Sequence, residues 1–147
     1  MILREFGKSD QPKVKEFILG VLREFGFDHN LDLDFNLENP DKYYKNVGGI
    51  FYLLENNGEI IGTIAVKNIG NKKAEIKRLY INKDYRGQGL GLKLFDRALQ
   101  FSKDSGFQSA KLDTWVRFKT AFSLYKKRGF KITKTVGEQI YMERKLR

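Results

Sequence analysis

The chain has 147 residues, with 28 lysines and arginines against 18 aspartates and glutamates, which gives a formal net charge of +10. Its length fits one domain, large enough to bury a core without a metal or a disulfide. The sequence has no cysteine and a single histidine, His29. This excludes disulfides and thiolate nucleophiles, and it disfavours a histidine-built metal site or a Ser-His-Asp triad. Carboxylates, tyrosines, lysines and backbone amides are left to carry any chemistry.

The sequence gives no sign of a targeting segment. Charged residues interrupt the apolar ones within the first seven positions, unlike a signal peptide. No stretch approaches the roughly 20 apolar residues of a membrane span. We therefore expect a cytoplasmic protein without a membrane partner. The positive charge fits either a solvated surface or an attraction for anions such as nucleic acid or a phosphate-rich cofactor.

Hydrophobic periodicity predicts the helices and strands in chain order. Pro12 fits the first turn of a helix, Asn57-Gly58 is a strong signal for a type I′ hairpin turn, and Gly129 fits a helix C-terminus. The predicted strands span 1–6, 50–55, 59–67, 74–81, 109–115, 130–135 and 139–145, and the predicted helices span 11–25, 40–45, 89–106 and 118–128.

The resulting order is β-α-α-β-β-β-α-β-α-β-β. Strands 74–81 and 109–115 are joined by one helix, so we expect them to be parallel neighbours with a right-handed crossover. The hairpins make the other strand pairs antiparallel. The predicted fold class is α/β of the α+β type, with three α-β-α layers and a mixed, mostly antiparallel sheet of six to seven strands.

The most informative run is Tyr-Arg-Gly-Gln-Gly-Leu-Gly at 85–91, between a predicted strand and a predicted helix. Glycines let the backbone approach a ligand closely, and the first amides of a helix lack intrahelical partners, so this loop is typical of a pyrophosphate site. A plain structural turn is the alternative. A Walker A loop is excluded by spacing, and the dinucleotide fingerprint fails because Leu92 and Leu94 stand where it needs a glycine.

The spacing Arg86-x-x-Gly89-x-Gly91 resembles the coenzyme A signature of the GNAT family of N-acetyltransferases. The preceding strand 74–81 and the Leu-Tyr-Lys-Lys-Arg-Gly-Phe block at 124–130 are similar to two further family blocks, in the same order. The resemblance implies the acyl-CoA N-acyltransferase fold in one domain over 1–147. It also implies acetyl transfer from acetyl-CoA, without a metal, to a primary amine of a small molecule or peptide, by direct attack in a ternary complex.

The resemblance also implies cofactor contacts. Backbone groups of Leu79, Tyr80 and Ile81 would pair with pantetheine, which requires the two parallel strands to splay apart, for instance at a bulge. The Arg86 side chain would contact phosphate or remain a solvated loop arginine. The amides and neighbouring atoms expected to hold the pyrophosphate belong to Arg86, Gly87, Gln88, Gly89, Leu90, Gly91 and Leu92.

Two side chains are implied as catalytic. An ammonium must lose a proton before it attacks, and a carboxylate in an apolar site can accept that proton. Glu75 stands where the family often has this base, and a surface glutamate paired with a cross-strand lysine is the alternative. Tyr125 stands at the usual general-acid tyrosine, and a core tyrosine is the alternative. Phe118 departs from the family's usual asparagine, so a pantetheine contact is lost or replaced. Trp115 would touch the cofactor or be a core or rim aromatic.

The acceptor is the least defined part of the prediction. Residues 28–41 contain five acids and no lysine or arginine, and they fall in the part of the family that lines the acceptor side. Asp28, Asp32, Asp34 or Glu38 would therefore attract a cationic amine, or would merely face water. Two further functions stay open: a basic nucleic-acid-binding module, disfavoured because the charges are dispersed, and a non-catalytic CoA-binding regulator. A homodimer is possible.

Overall fold

The computed structural model describes residues 1–27 and 37–147. None of the helices in these ranges is long and apolar enough to cross a bilayer. Short 3-10 turns cover Lys8–Asp10, Lys45–Val47 and Lys83–Tyr85. The helices and strands are β1 (Ile2–Glu5), α1 (Gln11–Glu24), α2 (Pro40–Tyr43), β2 (Ile50–Asn56), β3 (Glu59–Asn68), β4 (Lys73–Ile81), α3 (Leu90–Asp104), β5 (Ser109–Trp115), α4 (Lys119–Lys127), β6 (Lys131–Val136) and β7 (Gln139–Lys145).

The strands form one seven-stranded sheet in the order β1-β2-β3-β4-β5-β7-β6. β4 and β5 are parallel, and the other neighbouring pairs are antiparallel. The predicted element order, the parallel pair and the mixed sheet are thus confirmed. At the tight turn between β2 and β3, Asn57 and Gly58 have the positive φ values, 52° and 79°, that a type I′ turn requires.

Each face of the sheet has its own core, which gives the three predicted layers. On one face, α1 contributes Val14, Ile18 and Leu22, which pack against Tyr44 and Phe51. The residues that fill the opposite core from α3, α4 and the sheet include Ile64, Ile76, Leu94, Phe95, Ala98, Leu112, Tyr125 and Met142. The two faces of β4 therefore lie in different environments, because successive side chains of a strand alternate between faces.

The central parallel pair separates part-way along its length. β4 pairs with β5 only from Lys73 to Glu75, although β5 continues to Trp115 alongside β7. Beyond Glu75, β4 follows β3. The splaying that the resemblance required is therefore present, and it opens the sheet between its two central strands.

A β-bulge in β4 accompanies this separation. Thr63 pairs with Tyr80 and Ala65 pairs with Lys77, so two residues of β4 oppose one residue of β3. Arg78 has a φ of 61°, in the left-handed region that non-glycine residues rarely adopt. The buried Thr63 hydroxyl donates to the Arg78 carbonyl at 2.7 Å. This hydrogen bond holds the extra residue in place, and the bulge turns the strand away from β5.

Candidate active site

A cavity of about 270 Å³ lies where β4 and β5 separate. β4 supplies one wall, β5 the opposite wall, and the beginning of α4 and the end of α1 close the remaining sides. The lining residues are Leu22, Phe27, Ile76, Lys77, Arg78, Leu79, Tyr80, Asp113, Thr114, Trp115, Phe118, Ala121 and Tyr125. The structure thus brings Leu79, Tyr80 and Tyr125 together at one cavity, as predicted from the sequence.

The glycine-rich loop leads from β4 into α3. Gly87 and Gly89 have φ values of 80° and 79°, and no described atom lies within 4 Å of a Cβ built on either of them. Glycine is therefore required there by backbone conformation and not by crowding. The Gly89 carbonyl accepts from the Lys93 amide at 3.1 Å as α3 begins. By helix geometry, the amides of the preceding turn, including that of Gly91, lack intrahelical acceptors and form an anion-binding cradle.

Gly91 differs from the other two glycines of the loop. Its φ is not in the left-handed region, and a Cβ at this position would meet Leu124 and Ile81 only at ordinary distances of 3.7 and 3.8 Å. An alanine would therefore fit this structure. A larger side chain would occupy the space between α3, α4 and the end of β4, directly beside the amide cradle.

The Arg86 side chain does not point into the cradle. Its guanidinium makes two hydrogen bonds to Glu24, at 2.5 and 3.0 Å, and its Nε donates to the Ile81 carbonyl at 2.9 Å. It also lies over the Phe25 ring, 5.1 Å from the centroid. Neither alternative raised by the sequence, a phosphate ligand or a solvated side chain, describes this geometry. Arg86 connects the loop to the end of α1.

A second, more open cavity of about 460 Å³ lies beside the cradle, between the start of α3 and α4. Arg128 is held by Asp96, with an Nε–Oδ1 distance of 2.8 Å. Three basic residues make this surface attractive to phosphate groups. The lining residues are Leu92, Lys119, Thr120, Ser123, Leu124, Lys127 and Arg128.

Tyr125 lies on α4 with 6% of its surface exposed and packs against Phe95 and Phe130 at centroid distances of 5.2 and 6.5 Å. Burial raises the pKa of its hydroxyl well above the usual value, and the nearby Tyr80 and Asp113 act in the same direction. The phenol is therefore protonated at neutral pH, as a proton donor must be. Tyr125 is therefore a core tyrosine that also lines the cavity, and its role as a general acid stays a prediction.

Glu75 is placed differently. It lies at the last residue where β4 pairs with β5, before the strands separate, and it is not among the residues that line the cavity. Its carboxylate pairs with the Lys77 ammonium at 3.8 Å. This is close to the alternative of a lysine-paired glutamate, although the lysine is on the same strand. Proton transfer between Glu75 and an amine in the cavity would therefore require an intervening water.

Phe118, the residue that departs from the family pattern, packs toward α1. Its ring lies 4.6 Å from Phe25 and 5.7 Å from Phe27, and Phe27 lies edge-on to Trp115 at 5.2 Å. These aromatic residues join the end of α1 to the start of α4 and wall the cavity on the α1 side. Trp115 is a rim aromatic in this cluster, which was one of its two predicted roles.

The sequence prediction missed several cavity residues, and the charged ones among them include Arg78 and Asp113, whose carboxylate accepts from Gln139 at 2.7 Å. A signal for Arg78 was present. Ala74 and Ile76 are apolar at even positions, whereas Leu79 and Ile81 are apolar at odd ones. The alternation therefore changes phase between 76 and 79, which indicates a bulge at that point.

The acidic segment is mostly outside the described residues, which exclude Asp28, Asp32 and Asp34. Glu38 is described. Its carboxylate forms an exposed ion pair with the Lys15 ammonium on α1. This ion pair gives no evidence that Glu38 binds an acceptor amine.

The comparisons with known proteins agree with this geometry. The model of the acetyltransferase (GNAT) family matches residues 18–130. The chain belongs to the GNAT family. That match includes β4, the glycine-rich loop, α3, β5 and α4, and therefore every element that forms the cavity and the cradle.

Two relatives show how far the likeness extends. An uncharacterised N-acetyltransferase of Schizosaccharomyces pombe is 34% identical over 128 residues, covering 85% of this chain and 78% of that protein. N-acetyltransferase family 8 member 2 of Rattus norvegicus is 32% identical over 106 residues, covering 69% of this chain. The GNAT chain spans only 47% of the length of that rat protein.

Solved structures share the whole fold. A GNAT-family acetyltransferase of Staphylococcus aureus Mu50 superimposes with a TM-score of 0.90 at 28% identity, covering 99% of both chains. The PaiA N-acetyltransferase of Thermoplasma acidophilum, solved in complex with coenzyme A, gives a TM-score of 0.80 at 23% identity and covers 98% of both chains. At that identity the second likeness concerns the fold alone.

Proposed function

We propose that this GNAT acetyltransferase transfers the acetyl group of acetyl-CoA to a primary amine of a small molecule or peptide, by direct attack in a ternary complex. The observation that carries the proposal is the separation of β4 from β5 beyond Glu75, which leaves a cavity directly beside the amide cradle of α3. One elongated ligand can reach both, with a diphosphate at one end and an acyl group at the other.

The chain's own residues fit such a ligand. The amides at the start of α3 would hold the diphosphate, and the basic cavity that includes Lys119 and Lys127 would receive further phosphate. Pantetheine would lie as an extra strand along the unpaired edge of β4 at Leu79–Ile81. The fold of PaiA, which holds coenzyme A in its own structure, supports this arrangement. When bound, acetyl-CoA supplies the activated thioester.

The proposed reaction transfers the acetyl group from sulfur to nitrogen. The lone pair of the free amine attacks the thioester carbonyl carbon, a C–N bond forms, and the C–S bond breaks with its electron pair leaving on sulfur. Nitrogen loses one proton to a base, and sulfur receives one proton from an acid. The net reaction converts an alkylammonium and acetyl-CoA into an N-alkylacetamide, free CoA thiol and one proton released to solvent.

Tyr125 is the proposed acid, because its raised pKa keeps the phenol protonated at a cavity wall. Glu75 remains the proposed base. Its position outside the cavity lining means that it would act through a water molecule, and its pairing with Lys77 means that it would share its charge with a neighbouring cation. Backbone amides of β4 near Leu79 would stabilise the developing oxyanion.

The charge of the acceptor is a separate proposal. If the acids of residues 28–41 attract a cationic amine, then the double variant Asp32→Lys, Asp34→Lys should raise KM for that amine and leave kcat within a few-fold. The double variant Glu59→Lys, Asp104→Lys makes the same change in charge at exposed positions outside this segment and is the control. An equal rise in KM for both variants would indicate a general field effect and not a binding site.

Free thiol released from acetyl-CoA, followed with a panel of primary amines, tests the proposed function. Turnover with at least one amine is expected, together with binding of CoA by calorimetry. CoA binding without turnover of any amine would favour a regulator. Salt-dependent binding to RNA or DNA without CoA binding would favour a nucleic-acid-binding module.

A further inference from the structure

Arg78 carries a positive charge in a buried position. Only 7% of its surface is exposed, although arginines are usually exposed unless paired. Its Nε is a buried donor without a hydrogen-bond partner. Within residues 1–27 and 37–147, no carboxylate forms an ion pair with its guanidinium. The side chain lines the cavity between β4 and β5.

The direct partner of Arg78 is a neutral group. The bulge directs its side chain to the α1 face, where it lies near the hydroxyl of the buried Tyr44. Burial raises the pKa of Tyr44, and the charge of Arg78 and a hydrogen bond from it partly oppose that rise. Glu75 also acts on Tyr44 and Asp113 lines the cavity, but among the described residues neither carboxylate pairs with the guanidinium. The remaining cavity wall on this side is aromatic, formed by Phe27, Trp115 and Phe118.

Leaving a buried cation without an anion is unfavourable. The backbone of Arg78 is also fixed in an unusual conformation. It is left-handed, and the hydrogen bond from Thr63 to its carbonyl stabilises it. A guanidinium fork matches a carboxylate in shape as well as charge. A ligand that brings a carboxylate into the cavity would supply the missing anion.

We propose that Arg78 binds the carboxylate of the amine acceptor, so that the acceptors are amino acids or similarly compact amino carboxylates. This inference rests on the proposed function. Arg78 directly precedes the Leu79–Ile81 segment along which the thioester would lie, so carboxylate and amine must be close together in the acceptor. The aromatic wall of the cavity favours an apolar side chain on the acceptor.

The test compares acceptors that differ only in the carboxylate. L-phenylalanine, L-phenylalaninamide and phenethylamine are assayed by thiol release with the wild-type protein, Arg78→Met and Arg78→Lys. Arg97→Met is the control, because it removes the same charge from an exposed position on α3, where the guanidinium lies over the Tyr52 ring. We expect wild-type kcat/KM to be about 30-fold or more higher for L-phenylalanine than for phenethylamine, as a charged hydrogen-bonded pair allows.

In Arg78→Met the ratio of kcat/KM for L-phenylalanine to that for phenethylamine should fall to about one, and Arg97→Met should keep the full preference. Arg78→Lys should retain part of it. Equal wild-type rates for the three acceptors would overturn the inference and leave the proposed function standing. A stable Arg78→Met variant that still prefers L-phenylalanine to phenethylamine would also overturn the inference. If Arg78→Met fails to fold, the wild-type comparison and Arg78→Lys decide. Absence of CoA binding and of all turnover would overturn the proposed function itself.

Discussion

The two parts of the candidate active site are built in different ways. The amide cradle at the start of α3 is made by backbone groups of consecutive residues, with Gly87 and Gly89 in the left-handed conformation. The acceptor wall is made by side chains from α1, β4, β5 and α4, and its buried charged group on β4, Arg78, depends on a bulge opposite β3. The cradle is local in sequence, whereas the wall exists only once the sheet has formed.

This difference separates binding of the common ligand from choice of the partner. A cradle that uses main-chain N–H groups binds diphosphate whatever the surrounding side chains are. A wall of side chains can change from one family member to another without altering that cradle. Variants of the cradle should therefore affect CoA binding, and variants of the wall should affect the acceptor. Substitutions in each of the two parts test this separation.

Gly91→Val should have the largest effect. Its branched side chain would occupy the space beside Leu124 and Ile81 and displace the diphosphate from the α3 amides. We expect CoA affinity to fall roughly 100-fold, which corresponds to the loss of one or two charged hydrogen bonds. Titration calorimetry with CoA measures this change.

Gly20→Val is the matched control for this variant. Gly20 also lies within a helix, α1, and no described atom lies within 4 Å of a Cβ built there. Both substitutions should change the free energy of unfolding by less than about 1 kcal/mol, from helix propensity alone. Equal CoA affinities for the two variants would mean that the start of α3 does not hold the diphosphate.

Tyr125→Phe should reduce kcat by roughly 10- to 100-fold. This is at the lower end of the usual range for general acid catalysis, because a thiolate is a good leaving group. CoA affinity should change little, since the ring still packs against Phe95 and Phe130. Thiol-release kinetics and calorimetry measure the two quantities separately.

The pH dependence gives a second check on Tyr125. Because burial raises the pKa of its hydroxyl, the phenol stays protonated up to and beyond pH 10. Activity of the wild type should therefore rise with pH as the amine loses its proton, without a decline caused by Tyr125 below pH 10. Tyr125→Phe should show the same rising limb at a lower level. An unchanged kcat would leave Tyr125 with a role in the core alone.

Thr63→Val tests the acceptor wall. The variant keeps the shape of the side chain but removes the hydrogen bond to the Arg78 carbonyl, and both groups are buried. We expect a loss of about 1–2 kcal/mol in the free energy of unfolding, because the carbonyl is left without this donor. Urea denaturation measures the loss. CoA affinity should stay unchanged, and Thr63→Ser, which keeps the hydroxyl, should recover most of the stability.

A sequence reading recovers the local features and misses the tertiary ones. The hairpin at Asn57-Gly58 and the glycine loop could be predicted because their backbone conformation depends on the residues in them. The splaying of β4 and β5 came from the family resemblance. The sequence indicates the position of Arg78 only through the shift in apolar alternation between residues 76 and 79 of β4. The pairing of Arg86 with Glu24 joins residues 62 positions apart, and no local pattern encodes such a contact.

Arg86→Met addresses that distant contact and should have the smallest effect. The guanidinium is bound to Glu24 and the Ile81 carbonyl, and partly exposed ion pairs contribute less than about 1 kcal/mol. Methionine keeps apolar contact with Phe25. Because the guanidinium points away from the cradle, CoA affinity should change less than about threefold, and equally at low and high salt. A much larger loss that disappears at high salt would mean that Arg86 leaves Glu24 and contacts phosphate when CoA binds, so that the cradle also depends on a side chain.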